Sequence, residues 1–308
     1  MKCRSGTVGQ IGHGTMSNTQ DHRFIDGKAV SARILGECAD FVATRPDMPR
    51  LVSVSIGEHA EVGVYMRNQA RGAERAGLAF DQQFWDAETT QDAAKAHIQK
   101  MNDDPTVLGI ILQRPVPEHI NVRSLQSAIH PLKDVEGMNP ASIGNIVYSD
   151  VALAPCTAAA SVELIKETGL SLEGLEVVMI GHSEIVGKPA AMMLMAEGAT
   201  VTVCHHLTRS VAMHSRRADV VVVAVGIAGF LGPDMIKPGA VVIDIGINQI
   251  TDDDGNSKIV GDVDTDAVLE VAGWITPVPG GVGPVTVAML MRNAIVAFKR
   301  QVAAGWVT

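Results

Sequence analysis

Apolar residues fall into two spacings that take turns along this chain. Nearly continuous apolar runs have strand length: "RLVSVSIG" (50–57), "VLGIILQRPVP" (107–117), "LEVVMIG" (175–181), "ATVTVCH" (199–205), "ADVVVVAVG" (218–226) and "GAVVIDIGIN" (239–248). "FDQQFWDA" (80–87) reads as one more strand. Between them, apolar residues recur at helical spacing in "GKAVSARILGECADFVATRPDMP" (27–49), "VYMRNQARGAERAGL" (64–78), "TTQDAAKAHIQKMNDD" (89–104), "TAAASVELIKETG" (157–169), "KPAAMMLMAEG" (188–198) and a long final stretch, 283–305. Local chemistry agrees. The 27–49 helix ends at proline, Thr89 and Thr90 stand as caps for the third helix, and Thr157 stands as a cap for the fourth.

Strand and helix in alternation predict an α/β chain. The first half forms a parallel α/β layer, and the second forms a doubly wound parallel sheet whose strands are buried on both faces. The segment near 150–170 crosses between them. At 308 residues there is length for two domains, and 46% hydrophobic against 19% charged residues indicates packed cores. A net charge of −9 argues against a nucleic-acid partner, which needs a basic face. The longest uncharged apolar run (220–232) is too short to span a bilayer and holds three glycines, so no membrane partner is expected. The first 24 residues lack the apolar segment of a signal peptide and read as a flexible leader, with Met16 an alternative start. Four cysteines with no C-x-x-C spacing predict neither a disulfide framework nor structural zinc and fit a reduced, cytoplasmic setting.

Two loops carry candidate chemistry. In "VVMIGHSEIVGKPAAMML", Gly181 ends a strand and Gly187 precedes a helix, so backbone amides and the helix N-terminus can face a pyrophosphate. The spacing is G-x-S-x-x-x-G, with Ser183 where a second glycine often stands. In "TPVPGGVGPVT" (276–286), two prolines and three glycines within eight residues fix an unusual path before a helix. That path is either a structural turn or a wall for a flat aromatic ligand. On the second helix, Tyr65 and Gln69 lie four residues apart and share a face.

Taken together, "IDGKAVSARI", "VYMRN", "ILQRPVPEHI", "PLKDVEGMNPASIGNI", "APCTAAASVELI", "IGHSEIVGKPAAMML", "ATVTVCHHLT", "VGDVD" and "TPVPGGVGPVTVAMLMRN" resemble, in order, the bifunctional methylenetetrahydrofolate dehydrogenase/methenyltetrahydrofolate cyclohydrolases. The resemblance spans residues 25 to about 295. It implies a folate-binding catalytic domain (25–156 plus 285–308), a Rossmann-type dinucleotide domain (157–284), a cleft between them and a homodimer. It implies catalytic roles for the positions of Tyr65, Gln69, Gln113 and Glu136. Folate contacts are implied for Tyr65, Gln113, Glu136, Pro279, Gly280 and Gly281. Cofactor contacts are implied for Gly181, His182, Ser183, Ile185, Val186, Gly187, His206, Ala224, Val225, Gly226 and Ile247. The cofactor is NADP by family default, or NAD, with no metal. The adjacent pair His205 and His206 is discounted as a metal site because neighbours on a strand point to opposite faces.

The chain departs from the family at the folate. Gln69 matches a Lys, Glu136 an Asp, and Val62 a Ser. It is thus expected to be a divergent member without the catalytic Lys. Hydride transfer from 5,10-methylenetetrahydrofolate needs mainly positioning. Opening the methenyl product needs a group that exchanges protons, and an amide does not titrate in the working range. The expectation is a dehydrogenase with weak or absent cyclohydrolase activity. The alternatives are a fully bifunctional enzyme using another proton-transfer group and a non-catalytic folate- or nucleotide-binding homologue. On the cofactor side, His182 matches an Arg and His206 a Ser, so that His182, His206 and Arg209 make a phosphate pocket or else mark a relaxed, NAD-preferring site.

Overall fold

The computed structural model describes residues 23–57, 60–251 and 257–307. The first layer is built from α1 (Gly27–Ala43), β1 (Arg50–Ile56), α2 (Ala60–Arg75), β2 (Phe80–Trp85), α3 (Gln91–Asp103) and β3 (Val107–Leu112). Its three strands are parallel in the order β2-β1-β3, with Leu51 opposite Phe80 and Val52 opposite Ile110. Every residue of β3 is buried, as its unbroken apolar run requires. The edge strand β2 has three consecutive polar residues, Asp81, Gln82 and Gln83, and no fully buried position, so it is the most open of the three. Two short helices that the apolar pattern did not announce, α4 (Val122–Ala128) and α5 (Pro140–Val147), are started by Asn121 and Asn139, whose side chains accept backbone N–H groups.

The second layer follows α6 (Cys156–Glu167). It contains β4 (Glu176–Ile180), α7 (Gly187–Ala196), β5 (Thr200–Cys204), α8 (Ala212–Ser215), β6 (Val220–Val223), β7 (Val241–Asp244), the antiparallel pair β8 (Asn248–Thr251) and β9 (Ser257–Val260), α9 (Thr265–Leu269) and β10 (Trp274–Ile275). Five parallel strands run in the order β10-β7-β6-β4-β5. The chain leaves β4 for β5 on one side and then crosses to β6 on the other. The carboxyl ends of β4 and β6 therefore diverge at a switch point, where open α/β sheets bind ligands. This arrangement bears out the doubly wound sheet.

The last helix, α10 (Val282–Ala303), ties the layers together by packing on α1 and α6. By length and composition it is apolar enough to cross a membrane, but 67% of its most apolar window is buried inside the protein. Its polar residues are structural. Asn293 Nδ2 donates to the carbonyls of Val135 and Ala154, both at 2.9 Å, and Gln301 Nε2 donates to those of Leu108 (2.7 Å) and Leu132 (2.8 Å).

Three local expectations change. Most of the leader lies outside the described residues, but Arg23 and Phe24 are ordered: the Arg23 carbonyl accepts from Ile275 N–H, and Phe24 bridges to β10. The helix carrying Tyr65 begins at Ala60, so position 64 is inside it. Thr157 is not a cap, because α6 starts one residue earlier behind Pro155, with no side-chain capping bond.

Asn293→Ala is expected to lower unfolding free energy by about 2–6 kcal/mol, because two buried carbonyls lose this donor at ~1–3 kcal/mol each. Urea denaturation of the two proteins side by side measures this.

Candidate functional site

Gln113 follows β3 directly, and its N–H continues the ladder to the Val54 carbonyl at 2.8 Å. Its side chain thus points into the junction of the layers from a fixed backbone. Its Nε2 donates to Ser53 Oγ at 2.9 Å and to Gln69 Oε1 at 2.6 Å. Gln69 is only 1% exposed, which rules out a surface role. With its oxygen turned to Gln113, Gln69 is left with a buried Nε2 that has no acceptor. An unpaired buried donor costs on the order of 1–3 kcal/mol, so this amide calls for an acceptor on a ligand.

Gln69, Gln113, Tyr65 and Glu136 line one cavity of about 180 Å³. The Glu136 Oε2 accepts from Leu112 N–H at 2.9 Å. Burial pushes the Glu136 carboxyl up to about 7; Asp134 adds to this, while the Leu112 hydrogen bond and Arg114 oppose it. Tyr65 is 41% exposed, yet burial first, then the neighbouring Cys156 and Glu136, raise its pKa, with the nearby Gln69 side chain opposing them. The phenol is therefore neutral across the working range. In the same segment, Asp134 serves the backbone: it accepts from Met138 N–H, Asn139 N–H and the Ser142 hydroxyl.

The pattern of residues had not singled out Arg114, Met138, Cys156, Thr286 or Leu290, which complete this cavity. Cys156 stands at the start of α6, and burial raises its thiol pKa well above the usual value, so it is not a thiolate there. The expected folate contacts Pro279, Gly280 and Gly281 do not line this cavity. They line a second one of about 540 Å³, together with Ile247 and the cationic side chains Lys28, Arg71 and Arg75. Tyr65, Thr157 and Thr286 belong to both walls, so the two cavities adjoin at Tyr65. Ile185 and Val186 face the first cavity, placing the β4–α7 loop beside the four catalytic candidates.

The glycines of that loop serve the chain itself. Gly181 has φ +112°, and a Cβ there would lie 2.2 Å from the Ala224 carbonyl oxygen; one on Gly187 would lie 2.1 Å from the Gly181 oxygen. Close backbone packing therefore already requires glycine at both positions. Ser183 Oγ accepts from Gly187 N–H at 3.4 Å. The β6 loop is held by a side chain the pattern had not marked. Asp262 accepts from the N–H groups of Val225 (2.6 Å), Gly226 (2.9 Å) and Ile227 (2.9 Å), and from Asn248 Nδ2 (2.8 Å). Asp244, at the end of β7, in turn accepts from the N–H groups of Gly246, Asp262 and Val263. Burial pushes its carboxyl up to about 6 against these bonds. A lone acid ending an apolar strand, and the "VGDVD" string, were the available signals. Gly226 has open space beside it: a Cβ there would meet nothing within 4 Å. Ala224, Val225 and Gly226 follow β6, and the amides of Val225 and Gly226 are already used by Asp262.

In the loops after β4 and β5, one nitrogen each of His182, His205 and His206 lies within 4.8 Å of the other two. The alternation argument for separating His205 from His206 fails because β5 ends at Cys204 and both histidines lie in the turn beyond it. Their rings are 5.9 Å apart, and that of His182 is 4.7 Å from His205. Leu207 N–H donates to His205 Nδ1 at 3.1 Å, so a neutral His205 carries its hydrogen on Nε2.

Glu136 makes stability depend on pH. Its folded pKa is raised, so its protonated form favours the fold, and that contribution fades as pH rises from about 4.5 through about 7. Wild type is expected to lose roughly 2–3 kcal/mol relative to Glu136→Gln over this window. Unfolding curves at a series of pH values measure the difference.

Two domain descriptions of one known family together match most of the chain. Residues 25–136 match the catalytic domain of tetrahydrofolate dehydrogenase/cyclohydrolase, and residues 155–302 match its NAD(P)-binding domain. The chain is 77% identical over 287 residues to "Bifunctional protein FolD 3" of Roseobacter denitrificans, covering 93% of this chain and 99% of that one. It is 72% identical over 294 residues to "Bifunctional protein FolD" of Rhodobacter capsulatus, covering 94% and 98%. Among solved structures, the methylenetetrahydrofolate dehydrogenase-cyclohydrolase of Trypanosoma brucei, complexed with NADP and an inhibitor, superposes with a TM-score of 0.85 at 36% identity, covering 91% of this chain and 98% of that one. On both domain matches and these identities, the chain belongs to the tetrahydrofolate dehydrogenase/cyclohydrolase family.

Proposed function

We propose that this chain oxidises 5,10-methylenetetrahydrofolate to 5,10-methenyltetrahydrofolate with NADP, or NAD, and opens the methenyl ring slowly. The carrying observation is the amide of Gln69, buried and bonded to Gln113 in the junction cavity. In this reading it occupies the place of the family's Lys. A bound nicotinamide supplies the hydride acceptor, held along the β4, β5 and β6 loops by His182, Ser183, His206 and the open face at Gly226.

The chain's own groups position the folate. Glu136 presents a carboxyl to the pterin amino group and ring N–H, with its second oxygen fixed by Leu112 N–H. Tyr65, shared by both cavities, packs on the ring system. The Gln69 Nε2–H finds its missing acceptor on the substrate. Oxidation asks for little proton transfer, since the adjacent folate nitrogen supplies the electron pair. Ring opening differs. Water adds to the methenyl carbon and loses a proton, and the departing nitrogen gains one as the C–N bond breaks. Gln69 holds the water or the nitrogen but moves no proton. The family's homodimer is part of the same reading.

A second reading has a specific observation behind it. Glu136, pushed up to about 7 in the same cavity, exchanges a proton near neutrality and can serve as the acid and base of ring opening. The name "bifunctional" carried by the similar proteins supports that reading.

With methylenetetrahydrofolate and each nicotinamide in turn, the methenyl absorbance is expected to build and persist. Gln69→Lys is expected to speed its decay by roughly 10²- to 10⁴-fold, the usual range for a general acid–base group. Rapid decay in wild type that Glu136→Gln slows at saturating substrate would replace the first reading with the second. No reduced nicotinamide with either cofactor would overturn both.

A further inference from the structure

Resting on the reading of the junction cavity as the pterin site, we propose that Arg114 is a specificity-determining residue whose guanidinium donates to the ring carbonyl of the substrate, beside the amino group and ring N–H that Glu136 accepts. Among the residues lining the cavity, Arg114 is the one cationic side chain and Glu136 the one carboxylate. Among the described residues, the Arg114 guanidinium has no hydrogen bond and no ion pair. Five N–H donors thus stand at the wall of a cavity with no acceptor of the protein assigned to them.

The surroundings of Arg114 narrow what that acceptor is. Its backbone is held on both sides: Gln113 N–H bonds the Val54 carbonyl at 2.8 Å, and Pro115 restricts residue 114 to extended conformations. Arg114 acts electrostatically on Glu136, which places it on the carboxyl side of the cavity. Glu136 does not satisfy it, since no ion pair joins the two and Glu136 Oε2 accepts from Leu112 N–H. At about 180 Å³ the cavity is smaller than sites that enclose a whole drug-sized ligand, so it takes one ring system. Carboxylates elsewhere on the ligand meet cations of their own, because Lys28, Arg71 and Arg75 line the adjoining cavity. The Gln69 amide does not compete, since in the same reading it serves the reacting nitrogen or the water.

The order of groups on a pterin then decides what Arg114 meets. The amino group, the ring N–H and the ring carbonyl follow one another along a single edge, as donor, donor and acceptor. A carboxylate that accepts from the first two has its neighbour opposite the third. A cation beside Glu136 therefore faces the carbonyl oxygen, and the two side chains read the edge as acceptor and donor. Their opposite charges offset each other, so the ring is held without a net charge from the wall. A ring with an amino group in place of the carbonyl presents hydrogens to a side chain that has no acceptor, and a site built to bond one pattern rejects the other.

Titration calorimetry of the full chain with tetrahydrofolate and with its 4-amino counterpart, both kept reduced, tests this. Wild type is expected to bind the carbonyl compound at least ~10-fold more tightly, the low end for a hydrogen bond to a charged group. Arg114→Leu is expected to weaken tetrahydrofolate by about 10- to 100-fold while the 4-amino compound loses little, so that the preference collapses. Arg114→Lys keeps a cationic donor without the planar fork; it should retain part of the preference, and it asks the same question if the leucine variant does not fold. Unchanged affinity for the nicotinamide dinucleotide shows that a variant is folded. A wild type indifferent to the carbonyl, or a preference that survives Arg114→Leu, would overturn the proposal. So would a loss that disappears with 6-methyltetrahydropterin, which has no carboxylates, because the guanidinium would then serve the far end of the ligand. If wild type binds none of these pterins, the reading of the junction cavity fails as well.

Discussion

Two amide side chains of α10 hold the site in place. Each bridges two main-chain carbonyls that lie far apart in sequence: Asn293 joins the segment before Glu136 to the one before Cys156, and Gln301 joins β3 to the loop after α4. Backbone carbonyls in a buried junction need donors, and no local secondary structure supplies them here. One helix meets that need and, in doing so, sets the distance between Glu136, Leu112 and the start of α6. The apolar face of α10 supplies cohesion, while its amides supply position.

Within that frame the junction cavity is organised by neutral donors and one poised carboxyl. Gln113 is satisfied by Ser53 and Gln69, Gln69 is half satisfied, and Glu136 is divided between Leu112 N–H and the cavity. A buried ammonium in place of the Gln69 amide would be a full charge beside Glu136 and would pull that carboxyl down. With an amide there, desolvation prevails and the carboxyl rises to about 7. The identity of residue 69 thus reaches beyond its own chemistry into that of its neighbour.

Most strands of the two parallel sheets were legible because they are continuous apolar runs, and both helices flanking the site showed their periodicity; the two-residue β10 and the polar pair β8–β9 have no such run and were missed. What local pattern missed depends on contacts made at a distance. Asp244 and Asp262 look like ordinary acids in sequence, yet Asp262 binds amides more than thirty residues before it. Cys156 and Thr286 enter the cavity only because α6 and α10 pack together. Thr157 failed as a cap because Pro155 already turns the chain. His205 and His206 were separated by carrying strand alternation past the point where β5 ends. The quoted family motifs, in contrast, located Tyr65, Gln69, Gln113 and Glu136 in one cavity. Pro279, Gly280 and Gly281 line the adjoining cavity, which shares Tyr65, Thr157 and Thr286 with the first.

The carboxylate of Asp262 carries one more implication. Because it already occupies the amides of residues 225–227, that turn is shaped during folding and has little ordering left to do when a dinucleotide arrives. The turn is then a finished part of the scaffold, braced by a carboxylate 35 to 37 residues further along the chain.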